Sequence, residues 1–125
     1  MNKINVFALF SLVAMLWGCG SVPGEDTAEA ENKCYEDSVS YEADVKPIFE
    51  ANCFSCHNEE KYASKADGNK MYTYEHIKGK IDEGLVLGNI KHLPGYINMP
   101  YKKEKIDSCS IAIIERWIKT GYKKN

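Results

Sequence analysis

The sequence predicts a small all-helical domain, and three observations carry that expectation. Apolar residues recur at helical spacing in three separate stretches: Val45, Ile48 and Phe49; Tyr74, Ile77 and Ile81; and Ile111, Ile114, Trp117 and Ile118. Few segments alternate with period two, so no sheet is needed to bury the apolar residues. Each stretch is preceded by a side chain able to cap a helix, and two of them are followed closely by a glycine able to end one.

The first helix is expected from about Tyr41 to Asn52, with Val45, Ile48, Phe49 and Asn52 along one side. Ser40 or Asp44 would cap it. Pro47 fits only in the first turn, because it lacks an N–H and its ring collides with the carbonyl of a preceding turn. The next helix follows Thr73 as N-cap and reads YEHIKGKIDEG, with Gly84 supplying the stop. A shorter helical turn in LVLGNIKHL precedes the break at Pro94-Gly95. In the last helix Asp107 is the cap, Ile111, Ile114, Trp117 and Ile118 form the apolar face, and Gly121 is the end. From Asn58 to Thr73, and from Pro94 to Lys105, the chain is polar or turn-rich without periodicity. Loops of that length in a small domain usually wrap something or carry function.

With 125 residues there is room for one domain. Residues 1–18 read as a secretory signal: Lys3, an apolar run from Ile4 to Trp17, then Gly18 before Cys19. The run is too short, and too soon followed by polar sequence, to be read as a membrane span. Residues 20–33, GSVPGEDTAEAENK, cannot bury enough surface to offset chain entropy and read as an acidic tether. A flexible chain of that length has a reach of roughly 20 Å. The folded domain is expected over residues 34–125, a size at which natural domains often add a metal, cofactor or disulfides to a short core.

Removal of residues 1–18, which hold one lysine and no acid, leaves 15 basic and 18 acidic side chains, a formal charge of −3. That mild acidity argues against a nucleic-acid-binding protein, which would carry a clustered basic face. There is neither a glycine-rich phosphate loop nor a nucleophile elbow.

The chemistry concentrates in ANCFSCHN, residues 51–58. On a helix Cys53, Cys56 and His57 stand at i, i+3 and i+4 and project from one face. Cys-x-x-Cys-His is the attachment signature of a c-type haem: two thiols reach two vinyl groups, and the adjacent imidazole reaches the iron. Two other readings compete. A zinc site needs a fourth ligand, and His76 and His92 stand alone. A thiol–disulfide pair expects a strand before the motif, where a helical pattern stands instead. One covalent haem c is the expected cofactor.

Cysteine arithmetic extends the reading. With Cys53 and Cys56 on haem and Cys19 at the signal's end, Cys34 and Cys109 remain. An exported compartment permits a Cys34–Cys109 disulfide, which would leave no odd thiol. Such a bridge would be worth on the order of 4 kcal/mol in the chain-entropy model.

Two resemblances then enter. LWGC, residues 16–19, resembles the lipobox of bacterial lipoproteins, which implies cleavage before Cys19, lipid on Cys19 and attachment to a membrane facing an extracytoplasmic space. Residues 34 to about 122 resemble the cytochrome c superfamily, in particular its small exported single-haem domains. That resemblance rests on DVKPIFEANCFSCHN, on NMP at 98–100 and on the closing IERWIKTG. It implies a helical domain wrapped around the haem, with first and last helices crossing through Phe49, Ile114, Trp117 and Ile118. It also implies Met99, followed by Pro100, as the sixth iron ligand opposite His57. A Met/His pair raises the reduction potential. His92 stays open as a rival ligand, and a bis-histidine pair would lower it.

Lys91, Lys102, Lys103 and Lys105 surround the Met99 loop and could steer an acidic partner, although Glu104 and Asp107 intersperse them. The expectation is a membrane-tethered, single-haem carrier that passes one electron at a time between extracytoplasmic redox proteins, in the periplasm or at the cell surface. No substrate bond need change, so an enzyme is not expected. Alternatives are a haem-based sensor, an electron-entry unit of an oxidase, peroxidase or dehydrogenase, and a haem-free zinc or redox protein.

Overall fold

The computed structural model describes Cys34 and residues 38–125 of the chain. The expected signal, Cys19 and the expected tether lie outside the described residues. A π-helical turn, Tyr41–Val45, leads straight into α1, Lys46–Asn52. Then follow α2, Phe54–His57; α3, Tyr62–Lys65; α4, Tyr74–Asp82; α5, Leu85–Ile90; and α6, Ser108–Lys119. No strand occurs among the described residues, and none of their helices is long and apolar enough to cross a membrane.

Pro47 shapes the opening. It sits at the start of α1, where its missing N–H costs least. The turn before it widens: the Val45 N–H reaches the Ser40 carbonyl at 3.2 Å, and the Lys46 N–H reaches that of Tyr41. The expected single helix is therefore a π turn joined to an α-helix, the local adjustment by which helices absorb such a residue. Ser40 caps it by accepting from the Ala43 N–H, while the Asp44 carboxylate accepts from the Ser40 N–H at 2.8 Å. This reciprocal arrangement works as a capping box does.

The other caps act at the expected residues. The Thr73 hydroxyl accepts from the His76 N–H at 3.2 Å, and Asp107 Oδ1 accepts from the Ser110 N–H at 2.8 Å. Gly84 (φ 73°) and Gly121 (φ 94°) take the left-handed conformation just past α4 and α6, which only glycine adopts without strain. A second element departs from expectation. The expected 58–73 loop contains α3, a single turn with no buried residue and therefore no apolar period to reveal it.

The core joins the two ends of the domain. Tyr41, Val45, Phe49, Ile77, Ile114 and Trp117 are almost fully buried in one cluster, with Ile118 partly buried against it. The Tyr41 ring stacks on Trp117 at 5.3 Å between centroids and meets Tyr74 edge-on at 5.1 Å. Such pairs add about 0.5–1.5 kcal/mol each beyond their area burial. The Trp117 indole N–H donates to the Lys123 carbonyl at 2.9 Å. Asn125 accepts from the Tyr41 N–H through Oδ1 at 3.0 Å and from the Ser40 hydroxyl through its carbonyl at 2.9 Å. The segment after α6 thus folds back to satisfy donors at the start of the first helix, which would otherwise lack partners.

Cys34 and Cys109 stand at disulfide distance, their Cα atoms 5.2 Å apart across 75 residues of sequence. Arg116 Nη2 donates to the Cys34 carbonyl at 2.6 Å, so the same segment is tied twice to α6.

Candidate functional site

Between α1–α2, the 66–71 segment, α5 and the 95–103 loop lies a cavity of about 820 Å³. That is within the range of pockets that enclose a cofactor or drug-sized ligand. Cys53, Cys56, His57 and Met99 all line it. Phe49, Val86 and Ile90 give it an apolar wall, and Lys65, Lys80 and Lys103 stand on it against one carboxylate, Asp67.

The motif turn is built from the break between α1 and α2. The Cys53 carbonyl accepts from the Cys56 N–H at 3.1 Å and from the His57 N–H at 3.0 Å, so residues 53–57 form one closed helical turn. That hydrogen-bonded turn is what brings three side chains onto one wall. Neither Cys53 nor Cys56 is in a disulfide. Burial first, and Cys56 beside it second, pushes the Cys53 thiol up to about 12. A thiol–disulfide catalyst needs the opposite shift, toward a ready thiolate.

His57 is buried and oriented from outside the motif. Its Nδ1 donates to the Asn69 carbonyl at 2.8 Å, which leaves Nε2 as the ring nitrogen with a lone pair to offer. The Asn69 carbonyl is set by a turn after α3. Asp67 (φ 48°) and Gly68 (φ 79°) reverse the chain there, and Asn69 Nδ2 donates to the Ala66 carbonyl at 2.9 Å. The Met71 N–H then donates back to the His57 carbonyl at 3.2 Å. The long 58–73 segment therefore wraps the motif turn and fixes one imidazole. Sequence reasoning could not assign Asn69 this role, because its backbone carbonyl does the work. Met71, which precedes Thr73 and α4, also lines the cavity.

Met99 comes from the opposite loop. Its N–H donates to the Asn89 carbonyl at 3.1 Å, and its carbonyl accepts from His92 Nε2 at 3.0 Å. The Met99–Pro100 peptide is cis. His92 does not line the cavity; its ring nitrogen is engaged on the Met99 backbone. Tyr96 lies against α5, where a Cβ on Gly88 would land on its ring. Leu93, Tyr96, Ile97 and Tyr101 all leave substantial apolar surface exposed on this loop.

The loop lysines have different surroundings. Lys91 is paired with Glu115 of α6. Lys102 lies over the Tyr101 ring at 5.2 Å, and Lys103 is on the cavity wall. Among the described residues no three His, Cys, Asp or Glu side chains converge as a ligand set for a metal ion. Compared with known proteins, the chain matches no protein-family model, no curated sequence and no solved structure.

Proposed function

We propose that this cavity takes one covalently attached haem, and that the protein is a single-haem c-type electron carrier held at a membrane through lipid on Cys19. The observation that carries the proposal is the meeting of Cys53, Cys56, His57 and Met99, from two remote segments, on the wall of a single cavity of about 820 Å³. Cys53 and Cys56 would hold the macrocycle by thioether bonds, and His57 Nε2 and the Met99 thioether would hold the iron. When bound, haem supplies a one-electron ferric/ferrous couple.

The chain's own residues perform the rest. Phe49, Val86 and Ile90 exclude water from the centre of the cavity. Lys65, Lys80 and Lys103 outnumber Asp67 on its wall, which suits an apolar ligand bearing carboxylates. The Asn69 carbonyl holds His57 in the tautomer that leaves Nε2 free to face the iron. The zinc reading lacks its fourth ligand among the described residues, and the high Cys53 value opposes the redox-pair reading.

Carbon monoxide distinguishes the carrier from a haem sensor. The reduced holoprotein of a six-coordinate carrier binds it slowly or not at all near neutral pH and gives a reversible one-electron voltammogram. Rapid binding at ambient carbon monoxide would replace the carrier reading with the sensor.

A further inference from the structure

We infer that His92 is a positioning residue that holds Met99 at the cavity, with no ligand role of its own. The inference rests on the reading of Met99 as the sixth ligand and adds what keeps it there.

Met99 sits in a loop with few anchors. Both of its backbone polar groups are tied to the end of α5: the N–H to the Asn89 carbonyl at 3.1 Å, and the carbonyl to His92 Nε2 at 3.0 Å. The Asn89 carbonyl lies in the last turn of α5, whose carbonyls lack α-helical partners, and it also accepts from the His92 N–H at 3.3 Å. Here it serves as a fixed point for the loop. The second tie requires a side chain, and His92 supplies it from just past the helix end.

The backbone at His92 supports this role. Its φ is 57°, in the left-handed region that a helix terminus usually gives to glycine or asparagine. A strained non-glycine residue persists only where its surroundings hold it, and such residues gather at functional sites. Glycine would end α5 with less strain but would offer no donor to the Met99 carbonyl. The ring also extends far enough to reach that carbonyl while the chain makes the 93–98 excursion and returns. Losing the tie leaves the Met99 backbone held by its N–H on the Asn89 carbonyl, so an external ligand displaces the thioether at lower cost.

The test uses ferric holoproteins in which imidazole competes with the methionine, followed by loss of the far-red methionine–iron band. Two variants separate side-chain reach from backbone strain. His92→Asn keeps a residue at home in the left-handed region but is too short to reach Met99. His92→Gln places an amide N–H near the position of Nε2. His92→Asn should bind imidazole about tenfold more tightly than the wild type, the loss expected for one hydrogen bond. His92→Gln should return to within about threefold of the wild type, on the same scale. An Asn variant within twofold of the wild type, or a Gln variant as loose as the Asn variant, would overturn the inference. Met99→Ala is the control for the underlying reading. If it keeps the far-red band, the ligand assignment fails, and the role of His92 fails with it.

Discussion

Replacing Gly88 with alanine sets two effects of similar size against each other. Inside a helix, alanine is favoured over glycine by about 1 kcal/mol, and Gly88 lies within α5. Yet a Cβ there would land on Cγ, Cδ1 and Cε1 of Tyr96. Cγ is the root of the ring, so a small bend cannot clear it and the whole side chain must swing away. Tyr96 is 41% exposed, and a covered aromatic side chain buries about 150–250 Å². Giving up the covered part, on the order of 100 Å², costs about 2.5 kcal/mol at roughly 25 cal/mol per Å². Loss exceeds gain, and Gly88→Ala should destabilise the holoprotein by about 1.5 kcal/mol, lowering its melting temperature by about 6–12 °C. Tyr96 also begins the run that carries Met99, so the far-red band should weaken at neutral pH. Guanidinium unfolding followed by circular dichroism reads the first effect, and the optical spectrum reads the second. A variant as stable as the wild type or more so, with an unchanged band, would refute the reasoning.

Three further outcomes are expected. Replacing both Cys34 and Cys109 with serine frees a loop spanning 75 residues, and calorimetry should show a loss of about 4 kcal/mol, or about 15–30 °C. Asp107→Ala removes the cap of α6 and should cost about 1 kcal/mol in denaturant unfolding at neutral pH. Hydrogen bonds from the Ser110 hydroxyl and then the Ser110 N–H hold the Asp107 carboxyl below its ordinary value. Its contribution is therefore present above the ordinary aspartate value near 4 and is lost as pH falls through the lowered folded value. The difference between wild type and variant should shrink in that acid window and stay constant from pH 5 to 8. Met99→Ala should abolish the far-red band and lower the reduction potential in voltammetry, because a thioether favours ferrous iron.

The helices were legible where sequence signals agree across levels. Thr73 and Asp107 cap, Gly84 and Gly121 stop, and the apolar residues between them recur at helical spacing. The aromatic cluster of Tyr41, Tyr74 and Trp117 was only partly legible, because Tyr41 precedes the expected face and enters through the π turn. That turn could not be read, since Pro47 signals a disturbance without saying how the chain will absorb it. At the candidate site, residue types identified Cys53, Cys56, His57 and Met99 as candidates from spacing and resemblance, while their meeting around one cavity is a tertiary fact. The groups that orient them were invisible for a physical reason. Asn69 and Asn89 act through backbone carbonyls, which every residue carries. His92 reads in the sequence as a rival ligand, and only its hydrogen bond to Met99 reveals a different use of the same imidazole.

An electron carrier of this kind requires covalent haem at Cys53 and Cys56. The decisive measurement is the intact mass of the protein, produced with a cytochrome maturation system and denatured, alongside a peroxidase stain of the same band. The mass should be raised by one haem and the band stained, and both should be lost in the variant with Cys53 and Cys56 replaced by alanine. An unstained band of unmodified mass would contradict it.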